Sequence, residues 1–336
     1  FKQKTAYEIM PSLVGSEMCI RDRIKCSKKC YFSILFSQLC IAMIKIPENK
    51  WLYLFLLSLI WGSSYILIKR GLVGLSPIEL GSARIVISTL FLLILGFKSL
   101  KGLSRYQWKW LIITGFLGTF FPSFFFAFAQ RYIDSSVAAI LNSLTPIFTV
   151  LVGITFFATR MLERQFLGVL LGFIGSLGLV LGGAQINPDQ PVGHALLIIS
   201  ASMCYAINIH FLKHKLSEVS PMAMTLGNFI AILPPALILL FISDFFSLQN
   251  LQKSQVIKSL GFVVILAFFG TAIAKVMFNR FVKIASTVFV SSVTYTLPIV
   301  ALFWGTLDGE KINVYQLIAT AVILAGVSLS HKTKQR

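Results

Sequence analysis

Charge is scarce in this sequence. Asp, Glu, Lys and Arg make up 12% of its 336 residues, about half the share found in a soluble globular chain. With 56% hydrophobic residues and a mean hydropathy of +0.82, its apolar surface is too large for one water-soluble core of this length. That excludes a soluble enzyme, a disordered chain and a disulfide-stapled secreted domain. The chain reads as an all-α integral membrane protein, with the lipid bilayer as its first partner. Its net charge of +18 does not point to nucleic acid, because the basic residues stand between apolar runs as bilayer-flanking charge does.

Acidic residues number 12 against 30 basic ones, and those of the core, Glu79 and Asp134 among them, fall at helix ends or in loops. No mid-membrane carboxylate is visible for proton relay. The four histidines, His194, His210, His214 and His331, are scattered at loops and ends. There is no Walker motif, no metal-ligand spacing and no Ser/His/Asp constellation, so neither an enzyme nor a cofactor or metal is expected. Four of the five cysteines (Cys19, Cys26, Cys30 and Cys40) lie in the first 42 residues. Cys204 alone remains beyond them, so no disulfide is expected within the rest of the chain.

Those first 42 residues form a separate problem. Residues 1–23 fit neither a signal nor a transit peptide, and YEIMPSLVGSEMCIRD resembles a translated sequencing adapter. The apolar run Tyr31–Ile44 reaches about 21 Å as a helix, short of the roughly 30 Å hydrocarbon core. Met43 opens a short basic lead into a full-length span. Residues 1–42 are therefore expected to be a non-native leader and Met43 the start, the alternative being a genuine interfacial segment.

From Trp51 onward, apolar runs of transmembrane length lie near 51–68, 77–97, 110–130, 136–157, 165–182, 192–212, 221–242, 260–279, 287–307 and 314–330. Ten spans follow. The roughly ten-residue alternating strands of a β-barrel are absent. Fifteen Lys and Arg residues fall on the side of the N-terminus and six on the other, which places both termini in the cytoplasm; an inner (plasma) membrane is the expected location.

The chain also repeats itself. Ser58, Lys69, Ser76 and Pro77 recur as Ser202, Lys213, Ser220 and Pro221 at an offset of 144. Gly118-Thr119, Pro146 and Gly153 recur as Gly270-Thr271, Pro298 and Gly305 at an offset of 152. Two repeats of five helices, over 43–183 and 184–336, are expected. An odd count inverts the second relative to the first, as in many secondary transporters.

WGSSYILIKRGL, SPIELGSARI, FGTAIAKVMFNR, SSVTYTLPIVALFWGTLDGE and the tail QLIATAVILAGVSL together resemble the EamA branch of the drug/metabolite transporter superfamily, from about residue 47 to 331. The resemblance implies ten helices in two repeats, cytoplasmic termini and export or exchange of small metabolites. Members often carry an aromatic residue where this chain has Lys275.

Polar residues within spans are the candidates for a site. Arg84 lies seven residues into its span, about 10 Å deep. It either snorkels to the interface or a neighbouring carbonyl, or supplies a cation to a central cavity. Lys275 faces the same choice toward the cytoplasm. Asn142, ahead of Pro146, repairs its own helix, bridges to another, or meets substrate. Tyr295, ahead of Pro298, stands in the pseudo-equivalent place, with Ser291, Ser292 and Thr294 nearby. Trp61 and Tyr65, with Ser63 and Ser64, form an apolar and hydroxyl wall, although Trp61 also suits an interface anchor. Asn208 and His210 sit near a basic loop, and His210 reads as interfacial. The glycines at 168, 172, 175 and 178, and the small residues Ala319, Ala321, Ala325 and Gly326, read as packing surface inside the monomer or across a homodimer.

The expectation is a secondary transporter, exporting or exchanging a small polar or anionic metabolite by alternating access. Trp61, Tyr65, Arg84, Asn142, Lys275 and Tyr295 are its expected substrate contacts, and Pro146 and Pro298 its helix-breaking, cavity-lining residues. The competing expectation is a non-transporting ten-helix membrane enzyme or receptor.

Overall fold

Two dipeptides singled out by the repeat explain where helices begin. In a computed structural model of the chain, Ser76 caps the helix that starts at Pro77, with its hydroxyl accepting from Glu79 N at 3.3 Å and Glu79 Oε2 accepting from Ser76 N at 2.7 Å. Ser220 accepts from Ala223 N at 3.2 Å ahead of Pro221. In both, a serine satisfies an orphan amide while a proline, which has no N–H to lose, opens the first turn.

The structure describes residues 48–133, 135–159, 162–181, 192–247, 253–307 and 314–331, all within one unit, Glu48–Arg336. The leader 1–42, the repeat boundary at 183–184 and the basic tail from Lys332 lie outside the described residues. Among these residues every regular element is helical. They are α1 (Lys50–Gly71), α2 (Pro77–Gly96), α3 (Arg105–Ala129), α4 (Ser135–Asn142), α5 (Thr145–Phe157), α6 (Glu163–Leu181), α7 (Val192–Lys215), α8 (Pro221–Ile242), α9 (Ser254–Ile284), α10 (Thr287–Ser291), α11 (Val293–Leu307) and α12 (Val314–His331). Six of them, α1, α2, α3, α7, α8 and α9, are long and apolar enough to cross a membrane. Large apolar side chains stay on the outside, Phe156 at 81% exposure and Ile94 at 76%, a surface suited to lipid and not to water. The protein is a multi-pass membrane protein.

Two irregularities shape the interior. The runs expected at 136–157 and 287–307 are each interrupted, between α4 and α5 and between α10 and α11. Helices α3 and α9 turn π-helical over Phe116–Phe120 and Leu266–Ile273, the stretches that contain the repeated Gly-Thr dipeptides. Around them α1 packs against α9 and α11, α7 against α3 and α5, α2 against α8 and α9, and α3 against α8. The most intimate pair is α6 with α12. A Cβ on Gly168 would fall 2.7 Å from the Gly326 carbonyl, and one on Gly326 2.5 Å from Gly172 N. The small-residue faces therefore meet one another within the chain.

Candidate functional site

Proline removes a donor from its own helix, and each broken run answers that loss with a hydroxyl. Pro146 cannot serve the Asn142 carbonyl, which accepts from Thr145 Oγ1 at 2.7 Å. Pro298 cannot serve the Thr294 carbonyl, which accepts from Ser143 Oγ at 3.4 Å. The Asn142 side chain is thereby released to bridge helices. Its Nδ2 donates to the Tyr65 hydroxyl of α1 at 3.1 Å, and its Oδ1 accepts from Thr145 at 3.2 Å and from Ser202 of α7 at 3.4 Å.

The π-helical stretches release two more carbonyls. Pro122 has no N–H for Gly118 O, which accepts instead from Lys275 Nζ. Ala274 N–H turns to the Phe269 and Thr271 carbonyls, and Gly270 O accepts from Trp61 Nε1 at 3.1 Å. A proline in one half and a π register in the other thus produce the same free glycine carbonyl.

These groups converge on one cavity of about 90 Å³, room for several waters or a small organic molecule. Trp61, Tyr65, Arg84, Asn142 and Lys275 all line it. So do Ser64, Phe126, Thr145, Tyr205, Phe278, Ser291 and Thr294. Aromatic rings form the wall, Trp61 lying 5.2 Å from Phe278, Tyr65 6.0 Å from Phe126, and Phe126 6.3 Å from Tyr205 between centroids. Arg84 spends its Nε on Thr271 Oγ1 at 2.6 Å, a contact that uses neither terminal amino group. Lys275 Nζ sits 5.5 Å from the Tyr205 ring centre and 5.8 Å from that of Phe278. Among the described residues, no carboxylate lines the cavity.

Three residues stand elsewhere. Tyr295 is fully buried, donates to the Val169 carbonyl at 2.7 Å and does not line the cavity. The offset of 152 pairs Asn142 with Thr294, and Thr294 does line it. Adjacent helical residues point about 100° apart, so the one-residue difference sends Tyr295 to the far side of α11, against Gly172. Pro146 and Pro298 are also absent from the wall and act through the carbonyls they free. His210 is buried, with Nε2 2.8 Å from Thr149 O and its ring stacked on Phe157.

Tyr205 and Phe126 were missed at the sequence level, yet the offsets contain them. Trp61 pairs with Tyr205 and Tyr65 with Ile209 at 144, while Phe126 pairs with Phe278, Asn142 with Thr294 and Thr145 with Leu297 at 152. All ten residues line the cavity. The two cations break this pairing. Arg84 corresponds to Asn228, which bonds the Thr114 hydroxyl at 3.0 Å, and Lys275 corresponds to Ser123.

The EamA-like transporter family matches the chain twice, over residues 49–181 and 193–331. The chain belongs to the EamA-like transporter family. It is 28% identical over 291 residues to an uncharacterized transporter of Archaeoglobus fulgidus, covering 83% of this chain and 97% of that one. It is 27% identical to the uncharacterized inner membrane transporter YedA of Escherichia coli (strain K12), with 82% and 88% covered, and 27% identical to protein PecM of Dickeya dadantii, with 82% and 92% covered. A solved crystal structure shares the fold at a TM-score of 0.67 and 17% identity, over 85% of this chain and 97% of that one. These EamA-family relationships and the apolar helices make the protein a membrane transporter.

Proposed function

We propose that this transporter moves a small polar or anionic organic molecule through the central cavity by alternating access, as an exporter or exchanger in an inner (plasma) membrane. The observation that carries the reading is the pair of cations, Arg84 and Lys275, on a cavity wall that holds no carboxylate among the described residues. A charge held at membrane depth costs at least about 2.5 kcal/mol, and an anionic substrate between the two would offset that cost. Asn142 and the Tyr65 hydroxyl supply neutral hydrogen bonds, and Trp61, Phe126 and Phe278 hold the apolar body. With no carboxylate among the described residues of the wall, exchange or gradient-driven facilitation fits better than carboxylate-coupled proton antiport.

Ten membrane-crossing segments in two inverted halves complete the proposal, α4 with α5 and α10 with α11 each counting as one broken crossing, and both termini cytoplasmic. Its support is a packing pattern that survives exchange of the halves. Swapping α1 with α7, α3 with α9, and α4–α5 with α10–α11 turns the α1 contacts with α9 and α11 into the α7 contacts with α3 and α5. Broken helices at the junction of inverted halves are where transporters of this design bind substrate.

The test is exchange flux in proteoliposomes, after a stabilisation screen of purified protein with small organic acids, amino acids and amines has supplied a labelled ligand. Arg84→Ala and Lys275→Ala should each lower flux about tenfold or more, the value of one charge-assisted hydrogen bond, at equal reconstituted amounts. Wild-type flux in both variants would remove the site.

A further inference from the structure

We propose that Lys275 is the built-in occupant of an ammonium cage, and that by filling this cage it excludes cationic substrates and sets the charge selectivity of the cavity. The inference rests on the reading of that cavity as the substrate site. The Gly118 carbonyl, deprived of its helical donor by Pro122, accepts from Lys275 Nζ, while the Tyr205 and Phe278 rings lie within 5.8 Å of the same nitrogen. A free carbonyl and two aromatic faces are each attractive to positive charge and indifferent or repellent to negative charge. Nothing in the fold requires a lysine to serve this carbonyl. Its counterpart, Gly270 O, is served by the neutral indole of Trp61, and the counterpart of Lys275 is the small Ser123.

The cage is therefore complete without the lysine, and the lysine converts its sign. With the ammonium tethered in place, an incoming amine finds the cage filled and meets two positive charges, those of Lys275 and Arg84. An incoming anion meets the same two charges as attraction. Truncating Lys275 to its Cβ removes the ammonium and the methylenes behind it, and leaves space shaped for a two-carbon ammonium ion.

The experiment compares the purified full-length chain with Lys275→Ala and Lys275→Ser in detergent. Thermal unfolding is followed against ethylammonium chloride, with sodium chloride at equal ionic strength as reference. Both variants should be stabilised saturably, at ethylammonium concentrations at least about tenfold below any effect on wild type, while Lys275→Arg should stay as unresponsive as wild type. If a truncated variant unfolds on extraction, ethylammonium present during extraction should restore it, and failure to restore it overturns the cage. Equal responses from wild type and variants, or folded variants with no saturable response, overturn it too. A parallel titration with acetate and benzoate separates the two readings. An ethylammonium response in the variants with no anion response in wild type supports the cage and removes the anionic substrate.

Discussion

Asn142 shows how much one side chain can carry where two helices break. It ties α1, α4 and α7 together through Tyr65 and Ser202, so Asn142→Leu leaves the Tyr65 hydroxyl without this partner. The loss should be about 1–3 kcal/mol, seen as a lower unfolding midpoint in detergent. Tyr65→Phe should cost less, and the double variant less than the two together, with a coupling of about 0.6 kcal/mol as typical for hydrogen bonds between membrane helices. Strict additivity would mean that the Asn142–Tyr65 bond contributes nothing. At this scale the polarity of residues inside apolar runs made Arg84, Asn142 and Lys275 legible, because hydrophobic sequence makes any charge or amide conspicuous. Tyr295 misled because polarity and a nearby proline mark a helix but not which of its sides faces the cavity. Tyr205 and Phe126 were hidden for the opposite reason, since aromatic residues are unremarkable in a membrane helix until a pairing offset connects them.

At the scale of elements, helix positions followed directly from run length and from the Ser-Pro starts. The interruptions followed only in part: Pro146 opens α5 just past the break at 143–144, whereas Pro298 lies inside α11, well past the break at 292, and the hydropathy of the runs marks neither place. The π-helical stretches were equally silent, although Pro122 sits beside one of them. The contact of α6 with α12 offers a graded test of packing. A side chain at Gly326 would strike the Gly172 backbone at 2.5 Å, whereas one at Gly178 meets nothing nearer than the Ala319 Cβ at 3.8 Å. Gly326→Val should therefore destabilise by about 1–3 kcal/mol and Gly178→Ala should be neutral within about 0.5 kcal/mol. Thermal unfolding of the two purified variants measures both, and equal midpoints would contradict the contact.

For the whole molecule, the charge bias between loops and the two register-holding offsets carry the proposed arrangement. A cysteine-free version carrying Lys253→Cys should react with a membrane-impermeant maleimide in intact cells, while one carrying Lys101→Cys should react only after permeabilisation. The reverse pattern would turn the protein over in the membrane. Legibility ended where the halves meet, because two five-helix patterns do not state which faces they share. The paired wall around two unpaired cations has one further consequence. Two copies of a single repeat could build the same wall only by contributing every charge twice, which would confine such an assembly to an even number of charges. Joining the halves in one polypeptide lets Arg84 and Lys275 each appear once, from different halves, and allows each cation to be gained, lost or inverted in sign without its mirror image.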